Sequence, residues 1–142
     1  MNKEELKHKL RSAHFAHEQI ATLSDHLQEL RSLALKITPN YGPQPGGSGD
    51  GQKTASAVAE IIDQEKKIVG SVRQLSAALD EVRALIALLP TDCPEKNVMY
   101  MRYLNFQRWE QIAEAMSYSW ANVHKLHAQA LNYILREVNH GK

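Results

Sequence analysis

Between residues 58 and 89 the apolar side chains recur with a period that leaves few folds open. Val58, Glu65, Val72, Leu79 and Ile86 form one series seven residues apart, and Ile61, Ile68, Leu75, Val82 and Leu89 form a second. All of these but Glu65 are apolar. Alternating steps of three and four keep both series on one side of an α-helix, and a repeat sustained over this length is the seam of a coiled coil. A helix over residues 54–89, ~36 residues at about 1.5 Å each, would be about 54 Å long. It cannot bury its own stripe, so it needs the first helix as a hairpin partner, a second copy of the chain, or both. Ile61, Ile68, Val72, Leu75, Leu79, Val82 and Ile86 are the expected oligomerisation seam. Glu65 is a polar interruption of the kind that sets register.

The partner is legible upstream. From Leu6 through Leu10, Ala13, Ala16, Ile20, Leu23, Leu27, Leu30, Ala34 and Ile37, apolar residues again step by three and four, predicting a helix over 3–37. Asn2 is placed to cap its first turn, and Glu4 and Glu5 suit the positive end of the helix dipole. Three prolines and five glycines between Thr38 and Gly51 break the pattern, so residues 38–53 read as a mobile Pro/Gly loop. Pro90 and Pro94 close the second long helix and open a new unit, with Asp92 or Cys93 as N-cap. Residues 1–90 thus form a coiled-coil or oligomerisation region and residues 91–142 a compact domain. The fold expected is all-α, with a polar, frayed tail from Asn139.

Composition narrows the function. Lys and Arg number 17 against 16 Asp and Glu, a net charge of +1, so nucleic-acid binding has to be local or multivalent. The single cysteine, Cys93, excludes a disulfide framework and fits a reducing cytoplasm. No signal-like core opens the chain and no run is long enough to cross a membrane. No phosphate-binding G-x-x-x-x-G-K, no G-x-S-x-G and no H-E-x-x-H occurs, so catalysis is not expected. His124 and His127, like His14 and His17, are three residues apart, but no third ligand at a sensible spacing accompanies either pair. Neither a metal nor a cofactor is expected.

The chemistry-bearing stretch is Arg108 to Leu131. With Trp109 opening a first helix, small Ala113 falls where two helices would touch, and Val123 and Leu126 fall on the inward face of a second. Ile112, Met116 and Tyr118 complete an apolar cluster, and Ser119 is placed to cap the second helix. A free helix N-terminus there would present backbone N–H groups to a phosphate. The pattern is that of a helix-turn-helix.

Residues 98–119, with Arg102-Tyr103-Leu104 followed by Trp109-Glu110-Gln111-Ile112-Ala113, resemble the region-4 helix-turn-helix of sigma-70-type factors. A wider set of motifs resembles the small phage-encoded, sigma-like regulators of Gram-positive bacteria named after the autolysin regulator ArpU. These are Leu33-Ala-Leu-Lys-Ile-Thr-Pro39, the Gly/Pro loop, Ile61-Ile-Asp-Gln-Glu-Lys66, and Val123-His-Lys-Leu-His127 ahead of Ala130-Leu131. Departures are Trp120 and Ala121 in place of arginines after the cap, Arg108 in place of a Ser or Thr cap, and Ser117 in place of glycine.

The resemblance implies an activator of phage late-gene transcription that binds double-stranded DNA and contacts host RNA polymerase; the coiled-coil seam and the low net charge add a homo-oligomer, with a dimer favoured. The DNA-facing residues it implies are Ser119, Trp120, Ala121, Asn122, His124, Lys125 and Ala128, with Arg108 and Lys125 on phosphates. Two other readings are a small terminase-like packaging protein and a protein-interaction module whose helix-turn-helix does not bind DNA.

Overall fold

The computed structural model describes residues 1–37 and 48–141, and the first part of the Pro/Gly segment, 38–47, lies outside the described residues. Five α-helices follow in order: α1 (Lys3–Ile37), α2 (Ser48–Ile86), α3 (Pro94–Tyr103), α4 (Trp109–Met116) and α5 (Trp120–His140). No strand occurs among the described residues. The protein is all-α, with α1 and α2 forming a long helical hairpin within one chain.

Local chemistry sets the helix ends. Asn2 Oδ1 accepts the Glu5 N–H at 2.8 Å and Asn2 Nδ2 donates to Glu5 Oε1 at 3.1 Å, satisfying a donor that the first turn leaves open. Helix α2 begins at Ser48, inside the segment expected to be loop. The two glycines there, Gly49 and Gly51, each cost a helix about 1 kcal/mol, too little to stop it once the downstream turns propagate. At its other end the N–H groups of Leu88 and Leu89 bond the carbonyls of Leu85 and Ile86. These three-residue steps tighten the chain before Pro90. Cys93 takes the N-cap position of α3 in an extended conformation with Pro94 following, and Asp92 adopts φ 64° just before it.

The chain divides into two compact units. The first joins residues 1–16 with 74–142. Its core is built from Leu6, Leu10 and Ala13 of α1, Val82 and Ile86 of α2, Met99 and Tyr103 of α3, and Ala130, Leu131 and Ile134 of α5. Each large aliphatic side chain removed from water here contributes about 1.5–3 kcal/mol, so the burial of α3 and α5 against the hairpin helices dominates stability. The predicted seam residues Val82 and Ile86 are consumed by this core. They lie at 0% and 1% exposure and have no surface left for a second chain. Leu75 and Leu79 pack at its margin. Asn139 is not frayed: it lies within α5, and its side chain exchanges two hydrogen bonds with the Met1 backbone.

The second unit, residues 17–73, pairs the remaining lengths of α1 and α2. Leu27 is buried, but the α2 residues turned fully inward are polar, Gln64 and Ser71. Gln64 Nε2 donates to the Leu23 carbonyl at 3.0 Å, so the buried amide is satisfied. Ile61 and Ile68 flank it half-buried. The inward stripe of this unit is therefore 61, 64, 68 and 71, and the 58, 65 and 72 series lies beside it. Val72 of the expected seam is about half exposed, and Glu65 faces outward, where Oε1 receives Arg31 Nη2 at 3.2 Å.

Candidate nucleic-acid interface

Helices α4 and α5 are joined by only three residues, Ser117, Tyr118 and Ser119, and the backbone of each is specified. Ser117 sits in the left-handed region at φ 58°, ψ 38°, and closes α4 by donating its N–H to Glu114 O. Tyr118 N–H reaches back to Ala113 O at 3.0 Å, the six-to-one bond that commonly ends a helix. A serine there bears a strain that glycine would not. Tyr118 then points to solvent, 39% exposed, and is not part of the apolar cluster expected of it. The left-handed residue before it turns the chain away from the cluster, which consists of Val98, Ile112, Val123 and Leu126 with Ala113 and Met116 at its edge.

Ser119 caps α5: its Oγ accepts the Asn122 N–H at 3.1 Å. At the start of α4 the Arg108 N–H donates to Gln111 Oε1 at 2.9 Å. This is half of a capping box, since an arginine side chain has no acceptor to complete the other half. That bond satisfies the Arg108 N–H but does not replace the acceptor that a Ser or Thr cap would offer to the Gln111 N–H.

The expected DNA-facing residues separate into two sets. Arg108, Ser119, Trp120, Ala121 and Lys125 are exposed, with Asn122 and Ala128 half-buried beside them. His124 is different. Its ring lies between two indoles, with centroids 4.5 Å from Trp109 and 3.8 Å from Trp120, and its Nε2 is buried without a hydrogen-bond partner. Its ring packs against one face of Trp120. Trp120 keeps 58% of its surface exposed although one face leans on His124.

Behind this surface lies a cluster that sequence reasoning missed. The Trp109 ring also meets His127 edge-on at 4.9 Å and carries the Arg102 guanidinium 4.6 Å from its centroid. Arg102 Nη1 donates to Gln107 O at 3.0 Å, which fixes the loop that aims Trp109. His127 Nε2 and the Tyr103 hydroxyl are 2.6 Å apart. Burial, then the nearby His124, Lys7, Arg102 and Lys3, pushes the His127 pKa down to about 4, so its imidazole is neutral at pH 7. Burial raises the Tyr103 pKa, outweighing Arg102 and Arg11. A neutral phenol and a neutral imidazole share one hydrogen bond here, its direction set by the imidazole tautomer. The spacing of Trp120 and His124, four residues apart on a helix, was the one available sequence signal for part of this cluster.

No group of three or more metal-ligating side chains comes together among the described residues, and no helix of the described residues is long and apolar enough to cross a membrane. Compared with known proteins, the chain matches no family model, no curated protein and no solved structure.

Proposed function

We propose that the protein is a sequence-specific DNA-binding regulator of transcription that acts as a homo-oligomer, with α4 and α5 as a helix-turn-helix and α5 entering the major groove. The observation that carries the reading is the N-terminal turn of α5. Its cap satisfies the Asn122 N–H, while Trp120 and Ala121 expose their side chains beside Lys125. Backbone N–H groups at such a turn bind phosphate, and the side chains that follow meet base edges.

Trp120 is positioned for apolar contact with a thymine methyl or a sugar. Lys125 and Arg108 suit phosphates. His124 acts as the platform under Trp120. In this reading the sigma-like resemblance extends to contact with host RNA polymerase and control of phage late genes.

One copy brings little charge, since residues 91–142 hold six Lys and Arg against five Asp and Glu. A second copy doubles the phosphate contacts and fixes a half-site spacing. The surface suited to it is on α2 in residues 17–73, where Val58, Ile62, Val69 and Val72 are each 45–50% exposed. Their steps of four, seven and three form a second heptad stripe about a third of a turn from the inward one. This dimer seam replaces the expected one at Val82 and Ile86.

A second reading is favoured by the exposed Trp120 and Tyr118 on a weakly charged surface: a protein-contact module that does not bind DNA. Selection of bound duplexes from a random pool separates the two. A regulator enriches one motif with two half-sites and retains it at ~150 mM salt with a steep salt dependence. A contact module enriches none.

A further inference from the structure

A cavity of about 270 Å³ opens within the first unit where α1 passes α3, α4 and α5. Lys7 and Arg11 enter it from α1, Arg102 from α3, and His124 and His127 from α5, with Trp109 forming one wall. No carboxylate lines it. In a chain whose net charge is only +1, three permanent cations around one small cavity is a marked local concentration.

Neither Lys7 nor Arg11 has a carboxylate partner among the described residues. Arg102 is held by the Gln107 carbonyl and the Trp109 ring, which spends one of its five N–H donors and leaves the others available. His124 also lines the cavity, and its Nε2 is buried without a hydrogen-bond partner.

We infer that this cavity is a binding site for a small phosphate-type dianion, inorganic phosphate or the phosphoryl group of a small metabolite, held by Lys7, Arg11 and Arg102 with His124 in the wall. The electrostatics agree, since every charged group acting on the buried His127 is a cation or a potential one: His124, Lys7, Arg102 and Lys3. A planar, pre-positioned guanidinium on an aromatic wall is the arrangement that recognises a phosphoryl group by paired hydrogen bonds. The size fits as well, because the cavity falls just below the roughly 300 Å³ at which pockets for larger ligands begin. An anion here would tie α1 to the three short helices by charge in addition to apolar packing.

The test titrates inorganic phosphate into the full chain at constant ionic strength, with chloride as the balancing salt, and follows heat of binding and melting temperature. Saturable binding and a melting point that rises only with phosphate are expected. In the Lys7→Gln, Arg11→Gln double variant, affinity should fall about tenfold to a hundredfold, because two charge-assisted hydrogen bonds are lost. Lys67→Gln, in the other unit, should leave it unchanged. Equal phosphate response in the double variant, or no response beyond chloride, overturns the site.

Imidazole NMR signals of the unmodified protein give an answer that does not depend on the variant folding. His124 and His127 should shift with phosphate while His26 stays still; static His124 and His127 signals overturn the inference. If a saturating duplex displaces the bound phosphate, the anion is a DNA backbone phosphate, and the small-ligand site is overturned.

Discussion

The two units use the same pair of helices and are stabilised differently. In residues 1–16 with 74–142, α1 and α2 meet three further helices, and Leu6, Leu10, Val82, Ile86, Met99, Leu131 and Ile134 are almost fully withdrawn from water. In residues 17–73 Leu27 is the one buried apolar side chain among the described residues, and Gln64 and Ser71 hold the inward α2 positions. A two-helix layer has one interface and cannot enclose a side chain on all sides, whereas a layer capped by other helices can. Stability should therefore reside in the first unit, and the second should be open to local unfolding and to a partner chain.

The comparison is broken most directly by cavities. Leu10→Ala or Ile134→Ala should cost about 2–5 kcal/mol in denaturant unfolding, since each leaves a void in a closed core. Val69→Ala should change the stability of a dilute monomer by no more than about 0.5 kcal/mol and instead weaken association. Equal losses at the two kinds of site would erase the distinction.

Acid provides a second probe of the first unit. The folded-state pKa of His127 is about 4, below the unfolded value near 6.5, so between these values the unfolded chain binds the extra proton. Its contribution is fully present above pH ~6.5 and is lost as pH falls toward 4, about 2 kcal/mol after allowing for partial solvent access. His127→Gln should flatten that slope in unfolding curves measured from pH 7 to 4; an unchanged slope would place the titration elsewhere.

Smaller effects sharpen the picture. Gln64→Leu should stabilise residues 17–73 by about 1 kcal/mol, read as slower amide exchange there, because an apolar residue replaces a buried amide whose hydrogen bond contributes little net energy. Ser117→Gly should raise stability by about 0.5–1 kcal/mol by removing the left-handed strain, with Ser117→Val doing the reverse. No gain on Ser117→Gly would mean that the turn is specified by its hydrogen bonds alone.

How much of this was legible in the sequence follows the range of the interactions involved. The ends of α1, the Asn2 cap, the Pro94 start of α3 and the Ser119 cap are local and were readable. The phase of the α2 seam was not. That helix carries apolar residues on two adjacent stripes, 61 and 68 on one and 58, 62, 69 and 72 on the other, and periodicity does not say which one turns inward. The inward stripe in residues 17–73 is completed by Gln64 and Ser71, which a search for apolar residues passes over. The packing of His124 against Trp109 crosses the turn between two helices, and the meeting of Lys7 and Arg11 with Arg102 joins segments more than ninety residues apart, so neither is set by local sequence.

The central proposal is that the exposed turn of α5 reads DNA. Its most direct test is the affinity of the Trp120→Ala, Lys125→Ala double variant for a selected duplex and for a scrambled one, followed by fluorescence anisotropy at fixed salt. The account predicts that the ratio of the two affinities collapses toward one while the melting temperature of the protein stays near that of the parent. A ratio unchanged in a folded variant would contradict it.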